Sequence, residues 1–184
     1  MAQSKEVVDE AFPGDVIGLY DTGNFKIGDT LTQGNKFMFK GMPSFSPELF
    51  REVENTDPMK TKQLDKGLRQ LSDEGVAQLF IQQPGNRKIL GTVGELQFEV
   101  IQYRLKHEYG ASCSFRGLPY HKATWLTSDN KDSINTFTRI KSRNCVQDKD
   151  ENWVFLADSP FLLQMAQSDY PDIEFHTTSE FKVG

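Results

Sequence analysis

Apolar residues along the chain fall at two spacings, one typical of helices and the other of strands. Four segments place apolar residues three and four positions apart, which predicts amphipathic helices with one buried face. These helices and their apolar residues are Thr61–Glu74 (Leu64, Leu68, Leu71), Glu95–Tyr109 (Phe98, Ile101, Leu105), Lys131–Arg143 (Ile134, Phe137, Ile140) and a helix opened by Asp158-Ser159-Pro160 (Leu162, Met165, Ala166). The β-rich runs that predict strands are Phe45–Val53, Val76–Ile81, Ile89–Val93, Ser112–Phe115, Ala123–Leu126, Trp153–Leu156 and Ile173–Phe175.

The order of these elements predicts an α+β fold. From Phe45 to Leu126 the order fits the split βαβ arrangement of a ferredoxin-like domain, an antiparallel sheet with two helices on one face. The segment Gln83–Lys88 contains Pro-Gly-Asn and predicts a turn between two strands. An additional α/β extension follows Trp125, and its polar segment Asn144–Asn152 is predicted to be a loop.

The N-terminal part differs in pattern from the rest. Short β-rich runs such as Val16–Tyr20 and Ile27–Leu31 alternate with glycine turns, which predicts the closing strands of a partial β-barrel. Gly41-Met42-Pro43 marks a boundary. We therefore predict two units, residues 1–42 from a barrel and residues 43–184 as an α/β domain.

Charge and composition narrow the function classes. The formal net charge of −5 argues against bulk nucleic-acid binding, so an RNA contact must be local. Cys113 and Cys145 are too few for a disulfide framework or a four-ligand zinc site, and are predicted to be free thiols. No apolar run approaches about 20 residues, and the N-terminus lacks a signal-peptide pattern. The expected location is the cytoplasm, with no membrane partner.

Residue patterns that would support catalysis are missing from the sequence. The chain has no GxxxxGK[ST] phosphate loop, HExxH pair or GxSxG elbow. The three histidines, His107, His121 and His176, are not at metal-ligand spacing with either cysteine. We predict no catalytic residue, no metal ligand and no cofactor-binding residue in this chain. An independent enzyme is the least favoured class.

Two basic sets are candidates for contact with RNA. Lys62, Lys66 and Arg69 share one face of the first predicted helix, although a solvated helix face is the ordinary interpretation. The run Arg116–Lys122 is predicted to be loop-like, because it lies between two strand signals. Its cations can neutralise phosphates and its aromatic rings can stack on bases, or it can be a bulged strand whose proline protects a sheet edge. The candidates in this run are Arg116, Tyr120, His121 and Lys122, with Asn86-Arg87-Lys88 and Arg139, Lys141 and Arg143 as weaker ones.

A glycine-punctuated corner between a strand and a helix, Gly91-Thr92-Val93-Gly94-Glu95-Leu96-Gln97-Phe98-Glu99-Val100-Ile101, carries a family resemblance. With four further motifs in order, it makes the chain resemble the C-terminal region of the class II bacterial peptide chain release factor. Elongation factor G usually has His-Leu in place of Gln97-Phe98, which favours the release factor. The other motifs are Phe12–Leu19, Phe45–Arg51, Asp57-Pro58 and Tyr170–His176.

The resemblance implies a part of a translational GTPase, comprising the end of barrel domain II and domain III. Its expected function is that of the ribosome-facing effector region, which promotes dissociation of class I release factors after termination. The implied partners are small-subunit RNA and protein and, functionally, the class I factor, but not DNA. GTP and magnesium would belong to a G domain outside these residues, so Met1 would start a fragment.

Two alternatives stay open at this point. One is the C-terminal domain of another translational GTPase, related to elongation factor G or to ribosome-protection factors. The other is a stand-alone ferredoxin-like binding module.

Overall fold

The computed structural model describes residue 8 and residues 10–20, 30–35 and 46–179. Within these residues the protein has the predicted α+β fold, with helices packed on an antiparallel sheet. The helices are α1 (Thr61–Asp73), α2 (Glu95–Glu108), α3 (Lys131–Ile140) and α4 (Pro160–Asp169). The strands are β1 (Leu49–Asn55), β2 (Gln78–Gln82), β3 (Arg87–Thr92), β4 (Cys113–Leu118), β5 (Lys122–Thr127), β6 (Cys145–Asp148), β7 (Trp153–Ala157) and β8 (Glu174–His176).

The first four strands form the predicted ferredoxin-like half of the sheet, in the order β4-β1-β3-β2. All their pairings are antiparallel, and Phe50 in β1 lies opposite Gly91 on one side and Leu118 on the other. Because β1 and β2 are separated in space by β3, the connection through α1 is a split βαβ unit. Helices α1 and α2 cover one face over a core that includes Leu64, Leu68, Leu71, Leu79, Leu90, Phe98, Ile101 and Leu105.

The remaining strands continue the same sheet in the order β6-β7-β5-β8. The two halves join where β2 pairs with β6, at Phe80 opposite Asp148 and Ile81 opposite Gln147. Strands β4 and β5 lie six positions apart, which is about 29 Å in a flat sheet. Only residues 119–121 connect them, and such a connection spans at most about 14 Å. The sheet therefore folds back on itself.

Folding back encloses a core between the two half sheets. Phe50, Phe80 and Ile89 from the first half meet Trp125 and Leu156 from the second, and the Phe80 and Trp125 ring centroids are 6.1 Å apart. A separate core lies on the far face of the second half, under α3 and α4, and includes Phe137, Phe155, Ala166 and Ile173. The resulting layers are helices, half sheet, half sheet and helices, so α1 and α2 lie on the opposite side from α3 and α4.

The prediction of a loop at Asn144–Asn152 is wrong, because most of this segment forms β6 and the turn into β7. Cys145 and Val146 are buried, and β6 pairs with both β2 and β7. One buried side chain of this polar segment makes several hydrogen bonds. Asp148 accepts the indole N–H of Trp125 at 2.9 Å and the backbone N–H groups of Asp150 and Asn152, each at 2.9 Å.

The two C-terminal helices differ from the prediction, because α3 is shorter and α4 buries a different face. Helix α3 ends at Ile140 rather than Arg143, and Ile140 is exposed. In α4 the inward residues are Leu163 and Ala166, whereas Leu162 and Met165 are exposed. The cap explains the phase of α4, because the Ser159 hydroxyl accepts the Leu162 N–H at 3.2 Å and starts the helix at Pro160.

The N-terminal prediction is tested only in part by the structure. Val16–Tyr20, predicted as a strand, has no regular secondary structure, and its side chains are exposed. Ile27–Asp29 and the boundary at Gly41-Met42-Pro43 lie outside the described residues. The division at residue 42 therefore stays a prediction.

Candidate nucleic-acid interface

The outer face of α1 carries three of the predicted contact residues. A short 3₁₀ turn, Pro58–Lys60, precedes the helix and is capped by the Asp57 carboxylate, which accepts the Met59 N–H at 3.0 Å. Because Leu64, Leu68 and Leu71 face the sheet, the spacing of α1 directs Lys62, Lys66 and Arg69 toward solvent, and all three are exposed. We call these three residues the α1 basic face.

The carboxylates next to the α1 basic face are engaged elsewhere. Asp65 Oδ1 pairs with Lys88 Nζ at 2.9 Å, and Asp73 Oδ1 pairs with Lys149 Nζ at 2.6 Å. Within the described ranges, Lys62, Lys66 and Arg69 themselves take part in no ion pair. Three free positive charges on one helix face attract an anion more strongly than the net charge of −5 suggests.

Of the two interpretations of Arg116–Lys122, the structure is nearer to the strand than to the loop, because β4 extends to Leu118, β5 begins at Lys122 and only residues 119–121 lie between them. Arg116 lies within the edge strand β4, next to β1. Its side chain is bound to Glu52 and, through Nε, to Glu54 Oε1 at 3.0 Å. Arg87 Nη2 also binds Glu52 Oε2, at 2.7 Å. Glu52 therefore forms ion pairs with two arginines. The charge of Arg116 is largely neutralised by Glu52 and Glu54.

Glu52 has a shifted pKa for the same reason. The hydrogen bond from Arg87 and the charges of Arg87 and Arg116 hold the pKa of the Glu52 carboxyl below its usual range, although burial acts in the opposite direction. The side chain of Glu52 is only 14% exposed. This group of charges forms the polar end of the inner sheet face, beyond the apolar residues that the second half covers.

Tyr120 is a packing residue rather than a free stacking surface. Its ring meets Phe50 edge-on, with centroids 6.0 Å apart, and burial raises the pKa of its hydroxyl. The hydroxyl donates to the Arg143 carbonyl at 3.4 Å. The next residue, His121, is exposed and fixed by its backbone N–H, which donates to the Ala157 carbonyl at 2.7 Å. Lys122 is half-buried at the start of β5.

The structure brings some of the predicted candidates together and separates others. Arg143 reaches the neighbourhood of Tyr120, and the Gln82 amide at the β2–β3 turn also donates to the Arg143 carbonyl at 2.6 Å. The turn, the α3–β6 connection and the β4–β5 connection therefore meet at one place. The α1 basic face lies on the outer side of the first half sheet. The candidate residues thus form two separate surfaces.

The strand-to-helix corner has a structural role. The side-chain oxygen of Gln97 accepts the N–H groups of Val93 at 2.8 Å and Gly94 at 3.0 Å, which caps the start of α2. Its amide nitrogen donates to the Val76 carbonyl at 3.3 Å. Gln97 therefore ties together the end of β3, the start of α2 and the connection from α1 to β2.

A cavity of about 540 Å³ opens beside this corner. Phe80, Trp125 and Gln97 lie on its wall. Asp73, Glu74, Asp148 and Asp150 contribute a net acidic rim, in which Lys149 is paired with Asp73. The indole of Trp125 and the carboxylate of Asp148 bind each other. The acidic rim makes the cavity unsuited to a phosphate group.

The described residues contain no group of three or more His, Cys, Asp or Glu side chains placed to hold a metal ion. Both cysteines are buried, and burial raises the pKa of Cys113 to about 11 and that of Cys145 to about 12. Neither thiol is therefore a nucleophile near neutral pH. None of the helices in the described part is long and apolar enough to span a membrane.

Sequence reasoning missed one surface. Leu96, Val100 and Tyr103 lie on the outer side of α2 and are 72%, 50% and 64% exposed. Their spacing of four and three residues was visible in the sequence. It was obscured because Phe98, Ile101 and Leu105 form a second apolar face on the same helix.

A comparison with known families matches residues 39–167 of the 184-residue chain to a family described as class II release factor RF3, C-terminal domain. The match covers all the strands and helices from β1 to β7 and most of α4. It includes the α1 basic face, the β4–β5 connection and the outer side of α2.

Proposed function

The chain belongs to the family of the C-terminal domain of class II release factor RF3, and we propose that it acts as the ribosome-facing effector region of a GTP-dependent release factor. Membership places the chain in protein biosynthesis and translation termination. The finer role has three parts: contact with the small ribosomal subunit, reorientation by a GTP switch located elsewhere, and dissociation of the bound class I release factor.

The α1 basic face is the observation that carries the proposed contact. Lys62, Lys66 and Arg69 span about 10 Å along the helix, at a rise of 1.5 Å per residue. Successive cations are therefore about 6 and about 4.5 Å apart along the axis, so all three can contact the phosphates of one RNA strand. Their charges are free for such a contact because the adjacent Asp65 and Asp73 are bound to other lysines.

The β4–β5 connection provides the second part of the proposed contact. His121 is exposed there, Lys122 is half-buried, and Arg143 lies nearby. Arg116 contributes little net charge because Glu52 and Glu54 bind it. We therefore assign most of the electrostatic attraction for ribosomal RNA to the α1 basic face, and a smaller part to His121, Lys122 and Arg143.

The proposed mechanism requires a rigid body and no bond chemistry in this chain. Three packed cores and one continuous sheet make residues 46–179 a stiff unit that can transmit a rotation. GTP and magnesium would be bound by another domain of a longer protein, since the sequence lacks a phosphate loop. Reorientation on the ribosome would then favour a state in which the class I factor binds less tightly.

The alternative functions differ in what the protein displaces. A relative of elongation factor G would move tRNA, a ribosome-protection factor would remove another ligand, and a stand-alone module would need no GTP. The family match favours the release factor over these alternatives.

A dissociation assay tests the proposed function. In a factor that joins this chain to a GTP-binding domain, the loss of fluorescently labelled class I factor from termination complexes would be timed. We expect GTP-dependent acceleration, reduced about tenfold or more by Lys62→Gln, Lys66→Gln and Arg69→Gln together, with unchanged nucleotide affinity. GTP hydrolysis without any acceleration of class I factor release would contradict the proposal.

A further inference from the structure

Helix α2 is apolar on two opposite faces. Phe98, Ile101 and Leu105 are buried against the sheet. The opposite face consists of Leu96, Val100, Tyr103 and His107, which are exposed, and we call these four residues the outer stripe of α2. A helix on the surface of a domain ordinarily has a polar outer face. No other described part of the protein covers the outer stripe.

The outer stripe is continuous, and the spacing of its residues is the same from either end of the helix. Its residues are separated by four, three and four positions, and it extends about 16 Å along the helix. The Tyr103 and His107 rings stack on each other with centroids 4.3 Å apart, which closes the C-terminal end of the stripe. Because the spacing is symmetric, two copies of α2 running antiparallel place Val100 against Tyr103 and Leu96 against His107.

The charges beside the stripe follow the same symmetry. Glu95 and Glu99 lie on one flank in the first half of α2, and Lys106 lies on the same flank in the second half. In the antiparallel pair the same flank of each copy faces the other, so Lys106 of each copy is level with position 97 of the other, between Glu95 and Glu99. Glu95 also pairs with Arg51 of its own copy, so Glu99 is the main partner of Lys106 across the axis. The charges on this flank are therefore complementary in the antiparallel pair.

Helix α1 does not obstruct this arrangement. It lies along the other flank of α2, with Gly67 beside Leu105 and Tyr109, and Arg104 reaches back to Glu74. The two helices therefore run in opposite directions. In the antiparallel pair the N-terminal ends of the two α1 helices point away from each other, so Lys62 and Lys66 of the two copies are not stacked.

We propose that the protein associates with a second copy of itself through the outer stripe of α2, across a two-fold axis between Val100 and Tyr103. The contact is isologous, because each copy contributes the same surface. One helix pair buries less than the roughly 800 Å² per partner of a standard interface, so the association is weak. The expected dissociation constant is about 10 µM to 1 mM.

Sedimentation equilibrium of the purified chain over about 5 µM to 1 mM tests the association. We expect a monomer–dimer equilibrium that Val100→Glu abolishes, because it introduces a charge at the two-fold axis. The matched control is Ile140→Glu, which makes the same kind of change at an exposed residue of α3 and should leave the dissociation constant unchanged. A monomeric mass at every concentration would overturn the proposal, as would a dimer unaffected by Val100→Glu.

A charge swap tests the antiparallel register. Glu99→Lys alone and Lys106→Glu alone each oppose like charges across the axis, and each should raise the dissociation constant about tenfold. The double variant restores opposite charges and should return the constant to within about threefold of the original value. Asp129→Lys, with the same charge change far from α2, should have no effect. Failure of the double variant to recover would rule out this pairing.

Discussion

Gly67 sets the distance between α1 and α2. A Cβ atom at this position would lie 2.6 Å from Leu105 Cδ2 and 2.9 Å from Tyr109 Cγ, both closer than van der Waals contact. Leu105 is fully buried, so it has little room to move. The missing side chain therefore permits the close helix packing that positions the α1 basic face and the outer stripe of α2.

Gly67→Ala should lower the free energy of unfolding by roughly 1–2 kcal/mol. Overpacking costs about 1–3 kcal/mol, and the better helix propensity of alanine returns about 1 kcal/mol or less. Urea unfolding followed by circular dichroism measures the change. Gly117→Ala is the control, since no atom lies within 4 Å of a Cβ there. A Gly67→Ala protein as stable as the original would show that the helices separate easily.

Glu52 links stability to pH. Because its pKa is lower in the folded than in the unfolded protein, its stabilising contribution is complete above the unfolded value of about 4.3 and is lost as pH falls below it. Glu52→Gln should cost roughly 1–2 kcal/mol at pH 7, because Arg87 and Arg116 lose their shared carboxylate. The difference in unfolding free energy between the two proteins should shrink from pH 7 to pH 3.5. A constant difference would contradict this role.

Cys113 and Cys145 should be unreactive in the folded protein. With pKa values of about 11 and about 12, both are almost entirely protonated at pH 8, and both are buried. Titration with a thiol-reactive chromogenic disulfide should show no rapid reaction in buffer and two thiols in urea. Immediate labelling of either cysteine in buffer would mean that its strand opens readily.

At the scale of elements, β6 depends on Asp148. This buried carboxylate binds the Trp125 indole, the Asn152 amide and the backbone of the turn into β7. It also stands at the junction of the two half sheets, opposite Phe80. Polar contacts therefore stabilise the strand together with the burial of Cys145 and Val146.

Asp148→Ala should destabilise the protein by roughly 2–4 kcal/mol, because the buried indole N–H and the turn lose their acceptor. Asp148→Asn keeps one acceptor oxygen and should cost about half as much. Urea midpoints of both variants give the comparison. An alanine variant no less stable than the asparagine variant would show that the hydrogen bonds contribute little.

The fold was predictable where hydrophobic spacing and turn residues agreed. Leu64, Leu68 and Leu71 fixed α1, and Pro-Gly-Asn placed the turn before β3. The strand β6 was not predictable, because Gln147 and Asp148 make it polar and their partners are distant in sequence. The neutralisation of Arg116 was not predictable for a related reason. The glutamates that neutralise it lie more than 60 residues earlier in the chain.

For the whole molecule, the folded-back sheet determines which surfaces can act together. It puts the α1 basic face and the outer stripe of α2 on one side and the β4–β5 connection at the polar end of the inner face. The α1 cations were identified correctly from sequence as one helix face. Among the described residues they take part in no ion pair, because Lys88 and Lys149 bind the neighbouring carboxylates, and only the tertiary structure provides the positions of these two lysines.

The two proposed contact surfaces should differ in their effect on ribosome binding. Neutralising Lys62, Lys66 and Arg69 should reduce the slope of log affinity against log salt concentration by about two to three. Replacing Arg116, His121 and Lys122 by alanine should reduce it by about one, because Arg116 is already paired. Filter binding across a potassium chloride series measures both slopes. Equal slopes for the two variants would contradict the assignment.

Co-sedimentation of the purified chain with isolated small and large ribosomal subunits at low salt tests directly whether the α1 basic face binds the ribosome. We expect the chain to pellet with the small subunit, and the Lys62→Gln, Lys66→Gln, Arg69→Gln variant to stay largely in the supernatant. If the chain pellets with neither subunit, or if the variant pellets as well as the original, the α1 basic face is not a ribosome-binding surface.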